Sequence, residues 1–437
     1  MSSYVTRKTP GDTSWFVHDR FGMFIHWGLY AMPARHEWIK SREKITEEKY
    51  DIYFKYFNPD LFDPKEWAKK AKAAGMKYAV LTTKHHEGFC LFDSKYTDYK
   101  STNTPAGRDL VKEFVDAFRA EGLRIGFYYS LIDWHHPEFP IDPIHPRRDD
   151  EDAYEQSKDR DIRKYAEYMR NQITELLTNY GSIDILWLDF SYPDSRMEGK
   201  PWMRGKGKDD WESEKLISLA RKLQPHIIIN NRSGIDQDIW TPEQYQPQEW
   251  IRHKETGELV VWEACQTFSG SWGYHRDEMS WKTPEMLIHM LINTVSLGGN
   301  LLMNVGPTAR GYIDYRAENA LKVFADWMKY NSRSIYGCTM AEPEFVAPKG
   351  CRFTQSQDGK RLYIHLMEYP FAFLELKGLA GKVEYAQFLH DGSEILFTEG
   401  NSKHFSLGRL EGEDLLVLNI PHIKPPVIVP VIELFLK

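Results

Sequence analysis

Between Phe21 and about Ile335, short apolar runs alternate with stretches whose apolar residues recur every three to four positions, the pattern of strands and helices taken in turn. The runs predict strands near Met23–His26, Tyr78–Thr83, Arg124–Tyr129, Asp184–Asp189, His226–Asn231, Leu259–Ala264 and Leu301–Val305. The periodic stretches predict helices over Pro64–Ala74, Leu110–Ala120, Asp152–Asn179, Glu212–Leu223, Pro284–Ser296 and Glu318–Tyr330. Asp63 supplies the turn ahead of the first, and Gly75, Gly122 and Gly181 sit where a helix should stop on a residue of positive φ. Past about Met340 the helical period disappears. Alternating segments at Arg361–Met367, Phe371–Leu376, Val383–Leu389, Leu415–Ile420 and Val429–Leu436 then read as antiparallel strands.

The expected fold class is α/β: a (β/α)8-like barrel over residues 1–340, followed by an antiparallel β-sandwich over residues 341–437. A doubly wound nucleotide-binding sheet fits less well, since no Gly-x-Gly-x-x-Gly follows the first strand. No clean eighth strand stands out, and the polar, aromatic stretch from Ile235 to Glu258 predicts a distorted barrel or a long loop there. At 437 residues the chain exceeds what one core usually serves, which agrees with two domains.

A net charge of −7, with Lys and Arg interspersed among Asp and Glu, offers no basic face to nucleic acid. Met1–Pro10 lack the apolar stretch of a secretion signal, and no run approaches the ~20 apolar residues that span a bilayer. The expectation is a soluble, cytoplasmic protein without a membrane partner. Cys90, Cys265, Cys338 and Cys351 form no Cys-x-x-Cys pair, so neither zinc nor a disulfide framework is supported; only Cys338 and Cys351 are near enough in sequence to raise the question. The 14 Trp and 24 Tyr suit sugar binding, although most of them must be core.

A barrel enzyme carries its chemistry at the C-terminal ends of its strands. Here one apolar run after another ends on a polar group: His26 after Phe24-Ile25, His85 and His86 after Leu81-Thr82-Thr83-Lys84, the hydroxyls of Tyr128-Tyr129-Ser130, Asp189 after Leu186-Trp187-Leu188, Arg232 after Ile229-Asn230-Asn231, and Glu263 after Val261-Trp262. A single strand-end histidine is more often structural than functional, but six such ends point to one rim. The run before Asp189 is so apolar that its carboxylate must be paired or hydrogen-bonded. It reads either as a structural cap of the next loop or as a nucleophile kept ionised by the histidines and Arg232. The pairs His85-His86 and His135-His136 raise the question of a metal. Adjacent strand residues face opposite sides, however, and no His-Glu-x-x-His accompanies them, so no metal and no cofactor are expected.

The blocks Phe21-Gly22-Met23-Phe24-Ile25-His26-Trp27-Gly28, Glu37-Trp38, Lys84-His85-His86-Glu87-Gly88-Phe89, Gly126-Phe127-Tyr128-Tyr129-Ser130, Leu186-Trp187-Leu188-Asp189, Asn230-Asn231-Arg232, Trp262-Glu263-Ala264-Cys265, Ser271-Trp272-Gly273-Tyr274 and Asn304-Val305-Gly306-Pro307, in this order, closely resemble the α-L-fucosidases of glycoside hydrolase family 29. The closing Val417–Leu436 stretch looks like that family's C-terminal β-sandwich. The resemblance implies a retaining exo-α-L-fucosidase that acts on a fucosylated oligosaccharide or glycoconjugate through a covalent intermediate on Asp189. It further implies that His26, Glu37, Trp38, His85, His86, Tyr129, Trp187 and Arg232 line the fucose pocket. One block departs from the family: its signature places Pro, Leu and Lys ahead of Trp-Glu-x-Cys, where this chain has Glu258-Leu259-Val260-Val261.

The acid/base position varies across the family, so three carboxylates compete for it. Glu243 lies in Trp240-Thr241-Pro242-Glu243-Gln244-Tyr245, on the irregular loop after Arg232 that resembles the acid/base segment of several members, and is favoured. Glu263 at a strand end and Glu249 are the alternatives. Two other functions compete: a barrel glycosidase for another terminal sugar such as α-galactose, and a non-catalytic fucose-binding protein, which would be expected to have lost Asp189. The motifs fix neither linkage preference, aglycone and transglycosylation nor oligomeric state, a homo-oligomer included.

Overall fold

The computed structural model describes residues 3–399 and 414–437. Eight strands, β1 (Phe21–Ile25), β2 (Tyr78–Lys84), β3 (Arg124–Ser130), β4 (Ile185–Asp189), β5 (Ile228–Ile229), β6 (Ile239–Trp240), β7 (Val261–Thr267) and β8 (Asn300–Val305), form one parallel sheet in the order β5-β4-β3-β2-β1-β8-β7-β6. Its two end strands meet through a single parallel bridge, Asn230 to Ile239, which rolls the sheet into a nearly closed barrel. The expected (β/α)8-like fold is present, distortion included. Its eighth strand is β6, two residues inside the stretch expected to be irregular, and two residues are too few to display any period.

Alternation along the strands decides what faces inward. Phe24, Tyr78, Val80, Tyr128, Ile185, Trp187, Val261, Cys265 and Leu302 form one cluster inside the barrel. Their neighbours Met23, Ile25, Phe127, Tyr129 and Leu186 belong to the outer core, shared with the surrounding helices. Each fully buried Leu, Ile or Phe there contributes about 1.5–3 kcal/mol.

The helices Pro64–Ala73, Leu110–Ala120, Ile162–Asn179, Pro284–Ser296 and Tyr315–Asn331 each begin on a side chain, Asp63, Asp109, Asp161, Thr283 or Asp314, that accepts a first-turn N–H. The helix expected over 152–179 is two, Ala153–Ser157 and Ile162–Asn179, because Asp161 leaves the helical conformation to cap the second. Gly75, Gly122 and Gly181 take φ of +86°, +77° and +75°, as helix stops require.

The C-terminal part contains β9 (Cys338–Met340), β10 (Cys351–Ser356), β11 (Arg361–Leu366), β12 (Phe373–Lys377), β13 (Val383–Phe388), β14 (Phe397–Glu399), β15 (Leu415–Asn419) and β16 (Val431–Leu436). They make two antiparallel sheets, β9-β10-β11-β16-β13 and β12-β15-β14. Leu362, Ile364, Leu374, Leu376, Leu416, Leu418, Ile432 and Leu434 pack between them. The other face joins the barrel's core through Tyr363, Val429 and Val431, and Trp327 donates its indole N–H to the Val429 carbonyl at 3.0 Å. Cys338 and Cys351 are buried free thiols. Among the described residues no helix is long and apolar enough to cross a membrane, and no group of three or more His, Cys, Asp or Glu is placed to hold a metal.

Candidate active site

The C-terminal strand ends surround a narrow pocket lined by His26, Glu37, Trp38, His85, His86, Tyr128, Trp187, Asp189, Phe190, Glu243, Cys265 and Trp272, with Phe24 among them. A vestibule of about 430 Å³, lined by Trp38, Asp189, Phe190, Ser191, Asn231, Arg232, Gly234 and Glu243, shares Trp38, Phe190 and both carboxylates with it. The narrow space accordingly suits one sugar ring and the open one a leaving group of variable size.

Asp189 closes β4. Its Oδ1 accepts from Arg232 Nη1 at 2.9 Å and its Oδ2 from the Tyr128 hydroxyl at 2.7 Å. Burial pushes its pKa above the ordinary carboxylate range; the Arg232 charge and the Tyr128 hydrogen bond oppose that rise, and the charge of Glu243 adds to it. The same Arg232 Nη1 lies 2.6 Å from Glu243 Oε2. Two oxygens 2.9 and 2.6 Å from one nitrogen cannot be farther apart than those distances combined, which keeps them within the ~5–5.5 Å of a retaining pair. Arg232 is itself fixed: Nε donates to Thr241 Oγ1 at 2.9 Å, Nη2 to the Thr241 carbonyl at 3.0 Å, and the guanidinium lies 4.6 Å over the Trp187 ring. The two carboxylates thus occupy unlike surroundings, the Asp189 side chain 10% exposed and that of Glu243 41%.

His26 Nδ1 lies 2.6 Å from Asn304 Oδ1, while Asn304 Nδ2 donates to the Trp272 carbonyl. With the amide oriented that way, His26 must donate from Nδ1 and keep Nε2 as an acceptor. His86 reaches the same state by another route: Ser130 gives its proton to the Ile132 carbonyl at 2.8 Å and must therefore accept from His86 Nδ1 at 2.7 Å. Burial first, and the neighbouring His85 second, hold both imidazoles well below their ordinary pKa. Both are neutral and able to accept a hydroxyl proton.

Glu37 Oε2 accepts backbone N–H groups of Trp272 and Gly273 at 3.2 and 2.8 Å. This close approach explains two glycines of the sequence blocks: a Cβ on Gly273 would lie 3.1 Å from the Glu37 nitrogen, and one on Gly306 would lie 2.7 Å from the Trp272–Tyr274 backbone. The backbone beside each pocket carboxylate is in the left-handed region: His36 at φ +85° before Glu37, Phe190 at +80° after Asp189 and Gln244 at +51° after Glu243. Such conformations cost about 1–3 kcal/mol each and persist where the surroundings over-determine them.

The Alpha-L-fucosidase family model matches residues 2–333. The chain belongs to the α-L-fucosidase family and is a glycoside hydrolase. Alpha-L-fucosidase isoenzyme 1 from Paenibacillus thiaminolyticus is 47% identical, covers 97% of this chain and 98% of its own, and superposes at a TM-score of 0.87. A family 29 fucosidase from Bacteroides thetaiotaomicron, seen as a covalent intermediate trapped with 2-fluoro-fucosyl fluoride in a glutamate-to-glutamine mutant, is 28% identical over 99% of this chain and 98% of that one, with a TM-score of 0.81. Plasma alpha-L-fucosidase of Homo sapiens is 32% identical over 388 residues, 82% of this chain and 76% of its own length.

Most of the expected fucosidase residues meet in the pocket: His26, Glu37, Trp38, His85, His86, Trp187, Asp189 and Glu243. Tyr129 does not. It points outward from β3 and donates to Gln172 Oε1 at 2.7 Å, whereas Tyr128, opposite Trp187 in the ladder, faces the pocket. Arg232 lines the vestibule and not the inner pocket. Glu263 is not a strand end, because β7 continues to Thr267; it lies within the barrel, accepting from the Tyr78 hydroxyl at 2.5 Å and from Trp187 Nε1 at 3.2 Å, and burial pushes its pKa up to about 7. Glu249 is exposed and lines neither space. His85 and His86 follow the end of β2 and so escape strand alternation, their rings 3.9 Å apart on one pocket wall. Phe24, Phe190, Cys265 and Trp272 were not anticipated as pocket residues, although Phe24, Cys265 and Trp272 lie in blocks already singled out.

Kinetics on an aryl α-L-fucoside distinguish the two tyrosines. Tyr128→Phe removes a hydrogen bond to a charged group, about 1.5–3 kcal/mol, and is expected to lower kcat/KM roughly ten- to a hundredfold. Tyr129→Phe should leave it within about twofold, since Tyr129 lines neither the pocket nor the vestibule and the hydrogen bond lost is the one to Gln172.

Proposed function

We propose that the enzyme hydrolyses terminal α-L-fucosyl linkages of oligosaccharides or glycoconjugates with net retention, Asp189 acting as nucleophile and Glu243 as general acid and then general base. The observation that carries this reading is the single Arg232 nitrogen shared by the two carboxylates. In the first step Asp189 attacks the anomeric carbon and Glu243, on the vestibule side, protonates the departing oxygen. In the second, Glu243 takes a proton from the water that releases fucose from the ester. Its exposure suits a group that must exchange protons twice per turnover, and the burial of Asp189 suits a group that must stay dry. The covalent intermediate of the Bacteroides relative supports a double displacement here. The aromatic wall of Phe24, Trp187 and Trp272 favours a ring bearing a methyl over one bearing a C6 hydroxyl, which supports fucose over galactose.

Proton NMR of the first-formed sugar checks the stereochemistry. α-L-Fucose is expected initially, with β-L-fucose appearing only by mutarotation; initial β-L-fucose would overturn the assignment.

A further inference from the structure

His85 differs from the other two pocket histidines in what stands behind it. His26 is backed by an amide and His86 by a hydroxyl, whereas His85 Nδ1 lies 3.4 Å from Glu87 Oε2 and has no hydrogen-bond partner. Glu87 is 1% exposed, and neither of its oxygens accepts a hydrogen bond among the described residues. A carboxylate taken out of water without a partner is strongly penalised, so a buried one implies a compensating charge or proton. The nearby lysines are committed elsewhere: Lys84 binds Asp133 and Tyr165, and Lys40 binds Glu47. The hydroxyls of Tyr30, Tyr50 and Tyr99 are close enough for the charge of Glu87 to add to burial in raising their pKa, yet Tyr30 pairs with Thr82 Oγ1 at 3.3 Å and the other two are unpartnered, so the carboxylate is not spent on them. The imidazole of His85 is the group left to it.

We propose that Glu87 is a positioning residue: its carboxylate fixes His85 with a proton on Nδ1 and so presents Nε2 to a hydroxyl of the bound fucose. The arrangement completes a pattern, since His26 and His86 are also held through Nδ1. Gly28, which closes the first sequence block, leaves room for this carboxylate, as a Cβ there would stand 3.1 Å from Glu87 Oε1. The identity of the hydroxyl's owner rests on the fucosidase reading; the tautomer does not.

Nitrogen-15 NMR of histidine-labelled, unliganded enzyme tests the tautomer directly, with His85 expected to carry its proton on Nδ1. Glu87→Gln keeps the shape and removes the charge. It is expected to mix the His85 tautomers and to lower kcat/KM for an aryl α-L-fucoside roughly ten- to a hundredfold, the loss seen when the outer partner of a metal-bound histidine is removed. Its Tm should change little, because the neutral amide fills the same space and leaves no buried charge without a partner. A native His85 protonated only on Nε2 overturns the proposal, as does a Glu87→Gln enzyme with unchanged tautomer and unchanged kcat/KM. Should Glu87→Gln not fold, the native spectrum alone decides. An enzyme with the expected tautomer that cleaves no fucoside would count against the proposed function and not against this role.

Discussion

Asp189→Gly is expected to lose nearly all turnover of an aryl α-L-fucoside, by several orders of magnitude, as other nucleophile deletions do. Its side chain is the buried carboxylate of the pair, hydrogen-bonded by Tyr128 and Arg232 at the end of β4. Added azide should occupy the space left by the carboxylate and attack from the same side, giving the inverted β-fucosyl azide. Retention of substantial turnover, or formation of the α azide, would remove Asp189 from the role. The pH profile carries the same argument in sign. Only the ionised carboxylate attacks, and burial holds its pKa above the ordinary range, so kcat/KM should fall on acidification already above that range. Arg232 lowers this pKa, so Arg232→Met should move the acid limb to higher pH.

The barrel was readable because strands buried on both faces are continuous apolar runs, and β1, β2, β3, β4 and β8 end near the residues the runs suggested. What escaped was information that lies in pairing. β7 continues through Cys265-Gln266-Thr267, polar residues buried by their ladder with β8, so Glu263 could be mistaken for the mouth of a strand it sits inside. Tyr128 and Tyr129 are chemically alike, and only the register that sets Tyr128 opposite Trp187 tells which of them faces the pocket. Glu37 is oriented by N–H groups 235 and 236 residues away, for which no local pattern exists. The motif resemblance supplied Glu37 and Trp38 where periodicity was silent, and it also supplied the one-residue error at Tyr129.

Glu243→Ala is expected to separate substrates by their leaving groups. An activated aryl fucoside departs without protonation, so its first step should be nearly intact, while natural fucosyl disaccharides should slow by about 10²–10⁴. Azide should restore turnover of the aryl substrate by attacking the ester on Asp189, giving the retained α-fucosyl azide, the opposite anomer from that expected with Asp189→Gly. A second consequence follows from the shared guanidinium. Removing the Glu243 side chain leaves Arg232 Nη1 to Asp189 alone, so the acid limb of kcat/KM should move to lower pH, opposite to the shift from Arg232→Met. Glu263→Gln should show neither the leaving-group dependence nor azide rescue, because its carboxyl is enclosed in the barrel and occupied by Tyr78 and Trp187. If Glu243→Ala cleaves both substrate types at near-normal rates while Glu263→Gln discriminates between them, the acid/base is Glu263 and the exposed carboxylate on Arg232 serves only to hold that arginine.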